Sequence, residues 1–109
     1  MKHVLFICSR NRLRSPTAEQ VFAEFSGIEV ASAGTDQDAE NVLTPELVAW
    51  AQLIFVMEAR HRDKMRQRFR AEITTQRIVC LNIPDDYTFM QPELVALLKR
   101  KVMPHLMAR

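Results

Sequence analysis

The chain predicts an α/β fold, a four-stranded parallel sheet, doubly wound, with helices on both faces. Three observations predict it. Four short apolar runs, His3–Cys8, Glu29–Ala33, Leu53–Met57 and Arg77–Leu81, are separated by stretches of helical character. Strands alternating with helices in so short a chain give a parallel sheet covered on both sides. Right-handed crossovers then favour the strand order 2-1-3-4.

The elements follow in order. After the first strand, Ala18, Val21, Phe22 and Phe25 recur at three- and four-residue spacing, so residues 16–26 read as a helix. Ser15-Pro16, Thr44-Pro45 and Gln91-Pro92 each place a capping residue before a proline at the first helical position. The second helix is brief, about 44–51, and the third covers about 59–70. The last starts near Pro92, buries Leu94, Leu97, Leu98 and Val102, and is expected to stop by Pro104. Cys80, inside Ile78-Val79-Cys80-Leu81, is expected to be a buried apolar filler. Trp50, closing a short apolar helix, is expected in the core.

A chain of 109 residues, 48% hydrophobic, supports one domain spanning 1–109 and not two. The apolar stretch after Met1-Lys2 is too short for a signal-peptide core. No window approaches the roughly 18 apolar residues of a membrane span. Two cysteines make no disulfide framework. A cytoplasmic location is therefore expected, with no membrane partner. The net charge is +2, unevenly spread. Residues 60–70 carry Arg60, Arg62, Lys64, Arg66, Arg68 and Arg70 against Asp63, while Asp36, Asp38 and Glu40 make an acidic loop. Basic residues at every second position spread around a helix and form no single stripe. Nucleic acid is therefore not the expected partner, and an RNA-associated role through residues 60–70 ranks low. The three histidines lack Cys or carboxylate neighbours at ligand spacing, so neither a metal nor another cofactor is expected.

The most specific signal is Cys8-Ser9-Arg10-Asn11-Arg12-Leu13-Arg14-Ser15-Pro16. An apolar strand stops at a cysteine, a few residues turn a corner, and a helix starts. Loop N–H groups and a helix N-terminus bind phosphate-like dianions, and the same field favours the nucleophilic thiolate. Arg14 adds a planar fork that grips two phosphoryl oxygens. Ser15 can cap the helix and donate to the sulfur. Arg10, Arg12 and Arg14 crowd one loop, where their repulsion is tolerated if an anion sits among them. In doubly wound sheets, ligands sit beyond the carboxyl ends of the strands, beside the first. Cys8 ends the first strand and Asp85 follows the fourth, so both lie on that rim. Asp85 and Asp86 also make good turn chemistry after Pro84.

These residues resemble the low-molecular-weight protein tyrosine phosphatases. Cys8, Asn11, Arg14, Ser15 and Pro16 match the family loop, followed by Ala18-Glu19, Ala31-Ser32-Ala33-Gly34-Thr35, Ala51 to Glu58, and Asp85-Asp86-Tyr87. The resemblance implies a phosphatase-type phosphate loop after strand 1 and hydrolysis of a phosphomonoester, protein phosphotyrosine foremost, through a cysteinyl-phosphate intermediate. It makes Cys8 the nucleophile, Arg14 the phosphoryl clamp and Asp85 the general acid. Ser9, Arg10, Asn11, Arg12, Leu13, Ser15, Asp86 and Tyr87 then bind substrate, with Tyr87 as an aromatic wall. The partner implied is a phosphorylated protein or a small phosphomonoester.

Departures are also plain. Arg10 and Leu13 replace a glycine and a cysteine of the family loop, Asp86 replaces a proline, and the stretch between Thr35 and Thr44 is shorter. If position 10 requires a left-handed backbone, a side chain there costs about 1 kcal/mol. That is small against the roughly 5–15 kcal/mol by which a domain is stable. The departures also keep open a catalytically weak phosphate- or nucleotide-binding module. A thiol-coupled arsenate reductase ranks lower, since it needs a cysteine relay for which only Cys80 is available.

Overall fold

The computed structural model describes residues 1–107. Its elements are β1 (Lys2–Cys8), α1 (Arg14–Phe22), β2 (Ile28–Gly34), α2 (Pro45–Trp50), β3 (Leu53–Val56), α3 (Ala59–Arg68), β4 (Arg77–Cys80) and α4 (Pro92–Met107). The strands form one sheet of order β2-β1-β3-β4, and every pairing is parallel. The expected topology holds.

Strand residues alternate between faces, and the two faces bury different helices. Val4, Phe6 and Cys8 of β1 pack with Leu53 and Phe55 of β3 against Ala18 and Phe22 of α1 and Leu94, Leu98 and Val102 of α4. Leu5 and Ile7 pack with Ile54 and Val56 against Val48 of α2 and Met65 and Phe69 near α3. Buried on both sides, β1 and β3 fix the sheet register from within. Because all strands run parallel, Cys8, Gly34, Val56 and Cys80 end on one rim.

The local differences have physical reasons. The chain leaves α1 at Phe22, earlier than the spacing implies. Phe25 packs edge-on against Phe22 from the following turn, with ring centroids 5.0 Å apart, and Gly27 takes a φ of 85° to re-enter the sheet. At the other end, α4 runs through Pro104 to Met107. Pro104 is exposed, so water can reach the carbonyl that its missing N–H leaves free, while Met103 and Leu106 still pack on the core. Cys80 is half-buried, not a core filler, because β4 is an edge strand. Trp50 is half-buried too, stacked 4.4 Å from the His3 ring. No helix among the described residues is long and apolar enough to cross a membrane.

Candidate active site

The loop from Cys8 to Arg14 is held from outside by the segment after β2. Thr35 N–H donates to the Cys8 carbonyl (3.0 Å), Asp36 N–H to that of Ser9 (2.9 Å) and Glu40 N–H to that of Arg10 (3.1 Å). Planar trans peptides put each N–H opposite its carbonyl, so these outward carbonyls aim the next N–H groups inward. The short 35–43 stretch thus backs the loop. Gly34 makes the close approach possible: a Cβ there would collide with the Ser9 carbonyl oxygen and the Ala39 side chain. The left-handed residue of the loop is Asn11, with φ 56°, and not Arg10. Asn tolerates this region better than most residues, so Arg10 carries no strain of that kind.

Asn11 also braces the loop. Its Nδ2 donates to Ser15 Oγ (2.9 Å) and Ser32 Oγ (2.9 Å), and Ser32 donates to Glu19 (2.5 Å). Ser15 Oγ lies 2.8 Å from Cys8 Sγ. Since Ser15 accepts from Asn11, its own proton is free to point at the sulfur. Ser15 does not cap α1, contrary to the sequence expectation. Leu13 occupies the cap position without a side-chain hydrogen bond, and Ser15 lies inside the helix. The first N–H groups of α1 are left facing the loop, where an anion can take them.

Arg14 is 2% exposed and fixed on three sides. Its Nη1 donates to the Ile83 carbonyl (2.8 Å) and lies 3.3 Å from Glu58 Oε2, while Nε is 3.6 Å from Asp85 Oδ1. Burial pulls the Glu58 carboxyl upward, but the Arg60 hydrogen bond and the Arg14 charge outweigh it and hold it below its ordinary value. The carboxylate is therefore a standing counterion to the buried guanidinium.

Glu58 precedes α3 and exchanges capping bonds with His61. The Glu58 N–H donates to His61 Nδ1 (3.0 Å), so the ring proton sits on Nε2, which donates to Ser9 Oγ (2.9 Å). Complete burial, then the charges of Arg14 and Arg60, push the His61 pKa down to about 4. The imidazole is neutral near pH 7 and ties α3 to the loop. Glu58 and His61 were not singled out as site residues from sequence. The signal available was position, since Met57-Glu58 leaves β3 on the same rim as Cys8.

Cys8, Ser9, Arg10, Arg12, Leu13, Arg14, Asp36, Arg60 and Asp85 line one cleft of about 380 Å³. Asn11 and Ser15 are buried behind it as supports. Asp86 is exposed and does not line it, and Tyr87 packs half-buried against the core. The cleft therefore brings together the sulfur, the buried guanidinium and the Asp85 carboxylate that approaches it, with Asp36 as a second carboxylate and N–H groups pointing in.

Residues 3–52, from β1 through α2, match the sequence model of the low molecular weight phosphotyrosine protein phosphatases. The likeness to this family covers 50 of the 109 residues, including the whole loop from Cys8 to Arg14. No curated protein matches the sequence. Among solved structures, the YwlE arginine phosphatase of Geobacillus stearothermophilus superposes with a TM-score of 0.76 at 21% identity, covering 97% of this chain and 94% of its own. The low molecular weight protein tyrosine phosphatase SP-PTP of Streptococcus pyogenes gives 0.78 at 17% identity, covering 97% and 91%. Wzb of Vibrio vulnificus, solved with benzylphosphonate, gives 0.73 at 22% identity, covering 95% and 96%. These structures share the fold across nearly the whole chain.

Proposed function

We propose that this chain is a cysteine-dependent phosphatase of that family and hydrolyses a phosphomonoester through a phosphorylated Cys8. The observation that carries the proposal is the placement of Cys8 Sγ beside Ser15, 2.8 Å away, in the same cleft as Arg14 and Asp85. In the first step the Cys8 thiolate attacks phosphorus. An S–P bond forms, the P–O ester bond breaks, and the protonated Asp85 carboxyl gives its proton to the leaving oxygen. The inward N–H groups and Arg14 hold the equatorial oxygens as charge spreads over them. In the second step water attacks phosphorus and gives a proton to the Asp85 carboxylate. The S–P bond breaks, inorganic phosphate leaves, and Ser15 donates to the returning thiolate. Asp85 takes the acid role over Asp86 because it lines the cleft and approaches Arg14. Within the family the substrate expectation is a phosphoprotein or small phosphomonoester.

Steady-state hydrolysis of para-nitrophenyl phosphate tests the proposal. The wild type should turn over, and Cys8→Ser and Arg14→Ala should each lose activity by at least about a thousandfold, since a nucleophile and a charge-stabilising donor are each worth factors of that size. A wild type that binds phosphate without turnover would favour the binding-module alternative.

A further inference from the structure

The cleft is larger and more cationic than one phosphoryl group requires. At about 30 Å³ per water, its 380 Å³ has room for about a dozen waters. Arg14 sits at the floor with Cys8, while Arg10, Arg12 and Arg60 stand around the mouth. Their side chains are 57%, 55% and 56% exposed. Arg10 lies 3.9 Å from Asp36 and Arg12 3.7 Å from Glu40, too long for directed hydrogen bonds. Exposed pairs of this kind contribute only about 0–1 kcal/mol, so both guanidiniums are free to turn toward a better acceptor. The acids are also shared. Asp36 answers Lys64 as well as Arg10, and Glu58 answers Arg14 as well as Arg60. Among the described residues, no aromatic side chain lines the cleft, and Leu13 is its one large apolar residue.

We propose that Arg10, Arg12 and Arg60 form a second-anion subsite, and that the substrate is a small hydrophilic phosphomonoester bearing another phosphate. This rests on the hydrolase reading above and narrows its substrate class. The transferred phosphoryl group occupies the loop and Arg14. The second phosphate bridges the mouth arginines through charge-assisted bonds, displacing the loose carboxylate partners of Arg10 and Arg12 and taking the outer nitrogens of Arg60, whose Nε stays on Glu58 at 2.7 Å. A hydrophilic body needs no aromatic wall, and this cleft offers none.

The test reads Cys8 alkylation by iodoacetate in the full chain, at constant ionic strength, with methylphosphonate or methylenediphosphonate as protectant. These probes differ by one phosphonate and require no turnover. The diphosphonate should protect at about tenfold lower concentration, the value of roughly one added charge-assisted contact. In Arg12→Ile and in Arg60→Gln that ratio should fall severalfold, and added salt should shrink it in the wild type. Equal protection by the two probes, or an advantage that survives in both variants, overturns the subsite. Turnover distinguishes this from failure of the hydrolase reading. Absent para-nitrophenyl phosphate hydrolysis would refute the phosphatase, while the protection ratio would still report the subsite. A second arm compares kcat/KM for fructose 1,6-bisphosphate, fructose 1-phosphate and a phosphotyrosyl peptide flanked by glutamates. The bisphosphate should lead and be the most sensitive to Arg12→Ile. Sensitivity confined to the acidic peptide would make the occupant a protein and overturn the small-molecule assignment.

Discussion

Replacing His61 by leucine tests how the loop is held. The folded imidazole has a pKa of about 4, against about 6.5 in an unfolded chain. Because folding depresses this pKa, the unfolded state binds the extra proton. The contribution of His61 is complete above about pH 6.5 and is lost as the pH falls toward 4. Integrated between pH 7 and pH 5, the two values give a loss of about 2 kcal/mol in the wild type. For a domain of this size that is a Tm decrease on the order of 10 °C. Leucine cannot titrate, so His61→Leu should lose most of this pH dependence, while His3 and His105 remain in both proteins as internal controls. At pH 7 the variant should be less stable by about 1–3 kcal/mol, because the Glu58 N–H and Ser9 hydroxyl lose their partner. Thermal unfolding of both proteins at pH 7 and pH 5 measures the difference. Equal pH sensitivity in variant and wild type would refute the buried, neutral imidazole and the link it makes between α3 and the loop.

Two further substitutions probe the chemistry and the support. Asp85→Asn should slow hydrolysis of aryl phosphates with basic leaving groups by about 10²-fold or more and matter less for good leaving groups. A leaving-group series measures this, and the same pattern in Asp86→Asn alone would move the role by one residue. Gly34→Ala should push the Ser9 and Arg10 backbone out of place, because the new Cβ meets backbone that cannot swing aside. A melting curve and kcat measured together should show both reduced, and wild-type values for both would contradict the close packing of β2 on the loop.

Much of the frame was legible because it is written in local patterns. The apolar runs set four strands, and topology rules set their order. The same rules put Cys8 and Asp85 on one rim, with no side-chain geometry needed. What stayed hidden depends on distant segments meeting. Glu58 and His61 act on Arg14 and Ser9 across the sheet, and no spacing within residues 57–62 reports that. Ser15 looked like a cap because Ser-Pro usually starts a helix, yet the helix begins one residue before it and leaves its hydroxyl for the sulfur. Cys80 looked buried because its run is apolar, although the predicted strand order already placed the fourth strand at the sheet edge. Pro104 looked like a stop, and packing of Met103 and Leu106 carried the helix past it.

Cys8 itself should become phosphorylated during turnover. Rapid acid quench of the wild type during hydrolysis of a ³²P-labelled aryl phosphate with a good leaving group, followed by peptide mapping, addresses it directly. The label should appear on the Cys8 peptide at a level that rises before steady-state phosphate release. It should be absent from Cys80 and absent when Cys8→Ala is used. Turnover with no label on Cys8, or undiminished hydrolysis by Cys8→Ala, would contradict the account.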